Sequence, residues 1–207
     1  MESPEVTPSL ILASASPRRV ALLTTLGLQF EVRPSDVDET IHTPMSPEEA
    51  VIELAVSKAR AVAAETGDRA DALVLGADTI VAYAGELLGK PGDPEEARRM
   101  LRLLSGSSHQ VFTGVCLVLP QGREVSACEE TIIHFRELCD EEIDAYITTG
   151  EPMDKAGAYA LQGAASAFVS KLVGCYTNVI GLPVPLTVSL LRQAGLPVLG
   201  TTKTNVR

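Results

Sequence analysis

The sequence predicts an α/β fold: a mixed, twisted sheet flanked by helices. Three observations lead there. Short runs rich in Val, Leu and Ile read as buried strands, and two Pro-Glu-Glu triplets behind Ser46 and Asp93 start helices. A Pro120-Gln121-Gly122-Arg123 turn joins two long strand-like runs, which makes part of the sheet antiparallel. At 207 residues, with no linker-like stretch and no repeat, the chain is expected to form one domain over 1–207, frayed at about 1–8 and 199–207.

The elements follow in order. Residues 10–13 form a short buried strand, and Ser16-Pro17 then supplies an N-cap with proline at the first helical position. Val20, Leu22, Leu23 and Leu26 give that helix its apolar stripe, Gly27 closes it, and residues 28–32 alternate as a second strand. Ser46-Pro47-Glu48-Glu49 is a capping box that opens a long helix reaching Thr66-Gly67. Residues 71–84 read as a buried strand, turning at Ala84-Gly85 into 86–88. Asp93 opens a helix over 94–104, strands follow over 110–119 and 124–135, and Asp140 is placed as the cap of a short helix to Thr149. Residues 150–163 read as a Gly-rich loop, 166–173 as a strand and 183–194 as the last helix.

Composition excludes several classes. Hydrophobic residues at 45% and charged residues at 21% are those of a folded globular chain. A net charge of −10, no Trp and 4% aromatics argue against nucleic acid and anionic membranes as partners, so any phosphate site must gather its cations locally. Cys116, Cys128, Cys139 and Cys175 show no metal or redox spacing and are expected as reduced, partly buried thiols. Nothing resembles a signal peptide or a membrane span, which makes the cytoplasm the expected compartment. Walker, Rossmann, zincin and nucleophile-elbow motifs are absent. His42, His109 and His134 stand isolated and are expected as surface or half-buried histidines.

What remains is a scatter of charged residues in unusual places. Ser14, Ser16, Arg18 and Arg19 sit where a strand runs into a helix N-terminus, a position that favours anions. Lys58 interrupts the apolar face made by Val51, Leu54, Ala55 and Val62; it either snorkels to the core edge or reaches an anion. Asp78 interrupts an otherwise fully buried strand and needs a partner, either a cation such as Lys58, Arg18 or Lys90, or a divalent metal. Asp36, Asp38 and Glu39 form an acidic cluster suited to Mg²⁺ or Mn²⁺, or simply a solvated loop. Gly89-Lys90-Pro91 fixes a lysine in a turn, and Lys155 lies in the Gly-rich loop. Together these supply acidic metal ligands and basic groups for a metal-bound polyphosphate.

The segments 12–19, 36–39, 58–60, 76–81, 89–91, 104–106 with His109, 151–163 and 178–183 resemble the Maf family of nucleoside triphosphate pyrophosphatases, in its dTTP/UTP branch. The resemblance implies a fold like that of inosine triphosphatase, with a cleft between two lobes, in an assembly that is often a homodimer. It implies hydrolysis of a nucleoside triphosphate to the monophosphate and pyrophosphate, assisted by Mg²⁺ or Mn²⁺ on Glu39 and Asp78. It assigns catalysis to Asp78 as proton acceptor with Lys58 and Lys90, and substrate binding to Ser14, Arg18, Arg19, Thr79, Gln162 and Lys155. Arg18, Thr79 and Gln162 match the positions tied to pyrimidine preference, with Thr79 and Gln162 hydrogen-bonding the base. The chain departs from the family pattern at Ala15, where glycine is common, and at Ala164-Ala165. Two other readings stand beside this one: a pyrophosphatase for another nucleotide, such as 7-methyl-GTP, and a nucleotide-sensing protein that affects septum formation.

Overall fold

The computed structural model describes residues 8–40, 45–67, 69 and 71–201, so most of both expected frayed ends, and His42, lie outside the described residues. Seven strands form one mixed sheet in the order β2-β1-β3-β5-β6-β7, with β4 paired to β3 beside this path. β1 (Ser9–Leu12) pairs in parallel with both β2 (Phe30–Val32) and β3 (Ala72–Tyr83), as the strand-helix-strand opening requires. β4 (Glu86–Leu88), β5 (Ser108–Val118), β6 (Glu124–Phe135) and β7 (Val169–Val173) then add antiparallel pairs.

The helices begin where their capping chemistry places them. In α1 (Pro17–Thr25) Ser16 is the N-cap, and in α2 (Pro47–Glu65) Ser46 and Glu49 close a complete capping box. Asp93 accepts from the Glu96 N–H to start α3 (Pro94–Leu104). Three expectations change. Cys139, not Asp140, is the N-cap of α4 (Asp140–Thr148), because Glu142 reaches back to the Cys139 N–H and Asp140 is already helical. Residues 164–168 form a 3₁₀ turn, so the strand placed at 166–173 begins only at Val169. A five-residue helix α5 (Tyr176–Ile180), unforeseen in its β-branched sequence, precedes α6 (Val184–Gln193).

The two faces of β3 divide the core. Ala72, Val74 and Ile80 face α2, whereas Leu73, Leu75, Ala77 and Val81 face the opposite side, as a period of two demands. That opposite side holds two separate apolar clusters. One gathers β1, α1 and α6 around Leu75 and Leu117, and the other gathers α3, α4 and β6 around Val81, Val111 and Phe135. Thr79 and its cross-strand partner Thr113 lie between them in register. The two apolar clusters thus divide at this threonine pair.

One consequence of the topology positions the site. β1 pairs with β3 through residues 72–75, and β4 takes up the same edge only at Val81. Among the described residues, no strand covers residues 76–80 on that edge. The chain leaves β1 after Ala13, whose N–H makes a last rung to the Leu75 carbonyl at 2.8 Å, and turns into α1. A gap is left in the sheet beside Asp78 and Thr79.

Candidate active site

The gap opens into a cavity of about 700 Å³, a volume typical of small-molecule sites. Ser14, Arg18, Arg19, Glu39, Lys58, Asp78, Thr79, Lys90, Lys155 and Gln162 all line it. These ten residues, named from the sequence for catalysis, substrate or metal, are therefore brought to one hollow. Leu87, Val111, Tyr159, Leu161 and Val179 supply much of the apolar remainder of the wall.

Two glycines place the central charges. A Cβ on Gly76 would stand 2.8 Å from the Ala59 nitrogen and would collide with the Ala55 carbonyl; one on Gly114, opposite Asp78 in register, would collide with the Val51 carbonyl. With no side chain at either position, α2 lies directly on the strand backbones and Lys58 comes down beside Asp78. Lys58 Nζ donates to Asp78 Oδ1 and to Glu39 Oε1, each at 2.5 Å. Of the two explanations for Lys58, reaching an anion is the one realised. Its side chain is 7% exposed and that of Asp78 12%, so the pair is withdrawn from water, whereas Glu39 at 48% is half in solvent. Burial pushes the Glu39 carboxyl upward, but the hydrogen bond and charge of Lys58, with Lys90 3.5 Å from Oε2, outweigh it and hold the group below its ordinary value.

Arg19 is the second buried cation. Its Nε donates to the Gly181 carbonyl at 2.8 Å, Nη1 to Ser14 Oγ at 3.0 Å and Nη2 to Thr79 Oγ1 at 3.2 Å. No carboxylate is within ion-pair distance among the described residues, and burial pushes its pKa down, with Asp78 acting in the other direction. A buried guanidinium held by neutral acceptors keeps both its charge and spare N–H groups for an anion in the cavity. Ser14 Oγ accepts from Arg19 and from the Ser16 N–H, which leaves its own proton for the cavity. Arg18 meets Asp154 at 3.3 Å, and Lys155 also pairs with Asp154 while donating to the Glu151 carbonyl. Five cations thus face three carboxylates in the cavity of a protein whose net charge is −10.

Some expectations are corrected here. Asp36 and Asp38 are exposed and do not line the cavity; of the acidic cluster only Glu39 does. Asp38 instead accepts from the backbone and hydroxyl of Thr40, which bends this loop. His109 is fully buried rather than at the surface, with Nε2 2.9 Å from the Tyr159 hydroxyl and its ring edge-on to Phe135. The four cysteines are free, with Cys116 buried and Cys139 exposed. No described helix is long and apolar enough to cross a membrane. Missed from the sequence were Thr113 and Asn178, both fully buried behind Thr79. A signal existed for Thr113, since it interrupts Val111, Val115 and Leu117 on one face just as Asp78 interrupts its own strand.

Whether a divalent metal suits this site can be judged from its donors. Among the described residues no group of three or more His, Cys, Asp or Glu side chains could hold a metal by itself. Asp78 and Glu39, however, are joined through one ammonium, and Asp78 Oδ2 makes no protein hydrogen bond among the described residues. Two carboxylates completed by water and substrate phosphates are the set Mg²⁺ commonly uses, so the residues fit a metal that arrives with a nucleotide.

Comparison with known proteins places the chain. The profile of the Maf-like protein family matches residues 9–194. A dTTP/UTP pyrophosphatase of Anaeromyxobacter dehalogenans (strain 2CP-C) is 50% identical over 194 residues, covering 92% of this chain and 96% of that protein. A dTTP/UTP pyrophosphatase of Symbiobacterium thermophilum is 52% identical over 189 residues, covering 91% and 95%. Among solved structures, a HAM1 protein from Coxiella burnetii superposes with a TM-score of 0.45 at 18% identity, covering 73% of this chain and 86% of that one. On the family match and these full-length identities, the chain belongs to the Maf-like protein family.

Proposed function

We propose that this protein is a nucleoside triphosphate pyrophosphatase that hydrolyses dTTP and UTP to the monophosphate and pyrophosphate. The observation that carries this reading is the cavity in which buried Arg19, without a carboxylate partner among the described residues, and three further cations, Arg18, Lys90 and Lys155, join the Lys58–Asp78–Glu39 cluster. Relatives at about half identity over nearly the whole chain carry the name dTTP/UTP pyrophosphatase, which supports the substrate assignment.

In this reading the polyphosphate enters the cationic side of the cavity. Arg19 and the Ser14 hydroxyl donate to phosphate oxygens, and Arg18, Lys90 and Lys155 close over them from the rim. Asp78 and Glu39 would hold Mg²⁺ or Mn²⁺, which when bound neutralises phosphate oxygens. Asp78 accepts the proton of the water that attacks the α-phosphorus, while the hydrogen bond from Lys58 holds that carboxylate in place. A water oxygen–phosphorus bond forms, the bond from the α-phosphorus to the bridging oxygen breaks, and the pyrophosphate leaves with its electron pair against the cations. The cytoplasm, where nucleoside triphosphates are used, is the compartment in which this reading places the protein.

The test is a panel of dTTP, UTP, CTP and 7-methyl-GTP with Mg²⁺ or Mn²⁺, scored by pyrophosphate and monophosphate release. Turnover of dTTP and UTP ahead of the others supports the reading. Faster turnover of 7-methyl-GTP moves the specificity to a modified purine, and release of orthophosphate alone removes the pyrophosphatase assignment.

A further inference from the structure

Behind Thr79 lies a chain of buried polar groups that no part of the proposed chemistry uses. Thr79 and Thr113 face each other across β3 and β5, with their hydroxyl oxygens 2.9 Å apart. Thr113 Oγ1 donates to the Asn178 carbonyl at 3.1 Å, and that carbonyl belongs to α5, the short helix laid against the sheet. The Asn178 side chain is itself pinned, its Nδ2 donating to the Val111 carbonyl at 2.9 Å and to Thr131 Oγ1 at 3.0 Å. Thr113, Thr131 and Asn178 are all fully buried.

A hydroxyl has one proton and two lone pairs. The Thr113 proton is spent on the Asn178 carbonyl, so Thr113 takes the Thr79 proton as acceptor. One Thr79 lone pair receives Arg19 Nη2 at 3.2 Å. The alternative acceptor for the Thr79 proton, the Gly181 carbonyl at 3.5 Å, is a protein atom too. Either way the proton is held by the protein, and the cavity is offered a single lone pair.

We infer that Thr113 and the Asn178 carbonyl make Thr79 an acceptor-only contact, and that this polarity selects a ring bearing an N–H donor, the N3–H of uracil and thymine, over cytosine, whose N3 is an acceptor. This rests on the pyrimidine nucleotide reading above. Thr79 then contacts the base without donating to it, and Thr113 is a positioning residue that reaches substrate only through Thr79. Presenting a lone pair to the lone pair of cytosine N3 leaves both unsatisfied, the kind of mismatch by which a polar site rejects an analogue.

The experiment measures kcat/KM for UTP and CTP in the wild type and in Thr113→Val, Thr113→Ser and Thr113→Ala. Valine keeps the shape and removes the near acceptor, leaving the Thr79 proton only the Gly181 carbonyl at 3.5 Å, too long to hold it against turning into the cavity. The wild type is expected to prefer UTP, and Thr113→Val to lower the UTP/CTP ratio by about tenfold, chiefly through a gain on CTP. Thr113→Ser, which keeps the hydroxyl, is expected to retain the ratio. A purely structural role would lower both substrates together and leave the ratio unmoved, and that result overturns the inference. Thr113→Ala gives the same readout in a smaller side chain if the valine variant does not fold. A wild type that turns over UTP and CTP equally overturns the inference and leaves the pyrophosphatase reading standing; one that releases pyrophosphate from no nucleotide overturns both.

Discussion

Lys58 and Asp78, one on a helix and one on a strand, meet at 2.5 Å where one edge of β3 has no neighbouring strand among the described residues. Each breaks an apolar pattern in its own element, and each answers the other. The strand gap lets a ligand approach the carboxylate from the side that Lys58 leaves open.

Asp78→Asn removes the proton acceptor while keeping the shape of the side chain. Pyrophosphate release from UTP is expected to fall by about 10²–10⁴-fold, with nucleotide binding retained. Steady-state rates together with calorimetric titration of a non-hydrolysable analogue check both halves. An unchanged rate takes Asp78 out of the mechanism.

Lys58 and Lys90 both contact Glu39 but differ in burial, and their removal should differ in kind. Lys58→Met strands Asp78 in a dry environment and is expected to cost about 3 kcal/mol of stability, much of it recovered in the Lys58→Met, Asp78→Asn double variant. Lys90 is 61% exposed, so Lys90→Met should leave stability nearly unchanged and lower turnover by about 10²-fold. Urea unfolding beside steady-state kinetics separates the two outcomes.

Gly114→Ala is expected to lift α2 off the sheet, because its Cβ would strike backbone atoms rather than a flexible side-chain end. A loss of about 1–3 kcal/mol should accompany a loss of activity, since Lys58 travels with the helix. Thermal denaturation and turnover on the same sample test this. Gly89→Ala, where nothing lies near the added carbon and φ is not left-handed, serves as the control for spatial clash in the denaturation measurement.

His109 makes stability depend on pH. Burial first, and the neighbouring His134 second, push its pKa from 6.5 down to about 4, so the folded protein keeps it neutral where the unfolded chain protonates it. Stability should therefore fall as pH drops from about 6.5 towards 4, at up to about 1.4 kcal/mol per pH unit from this residue. His109→Gln, which keeps a hydrogen-bonding partner for Tyr159, should flatten that slope when unfolding is compared at about pH 7 and about pH 5.

The parts of this structure that local chemistry dictates were legible in the sequence. Ser46 and Asp93 start their helices where the capping residues stand, and Lys58 and Asp78 announce themselves by interrupting apolar periodicity. Asp36, Asp38 and Glu39 show the limit of such reading. Three adjacent acids look alike in a string, and only the path of the loop decides that Glu39 alone turns inward. Helix α5 was hidden because three of its five residues are β-branched and no side chain caps it. Asn178 was hidden for a different reason: its side-chain partners lie 47 and 67 residues away, and pairing across such distances is set by the fold.

The most direct measurement is hydrolysis of UTP in ¹⁸O-labelled water, followed by mass analysis of both products. A site in which Asp78 activates water against the α-phosphorus, with the cations on the leaving group, puts the label in UMP and none in pyrophosphate. Label found in pyrophosphate would mean attack at the β-phosphorus and would contradict this assignment of the cavity.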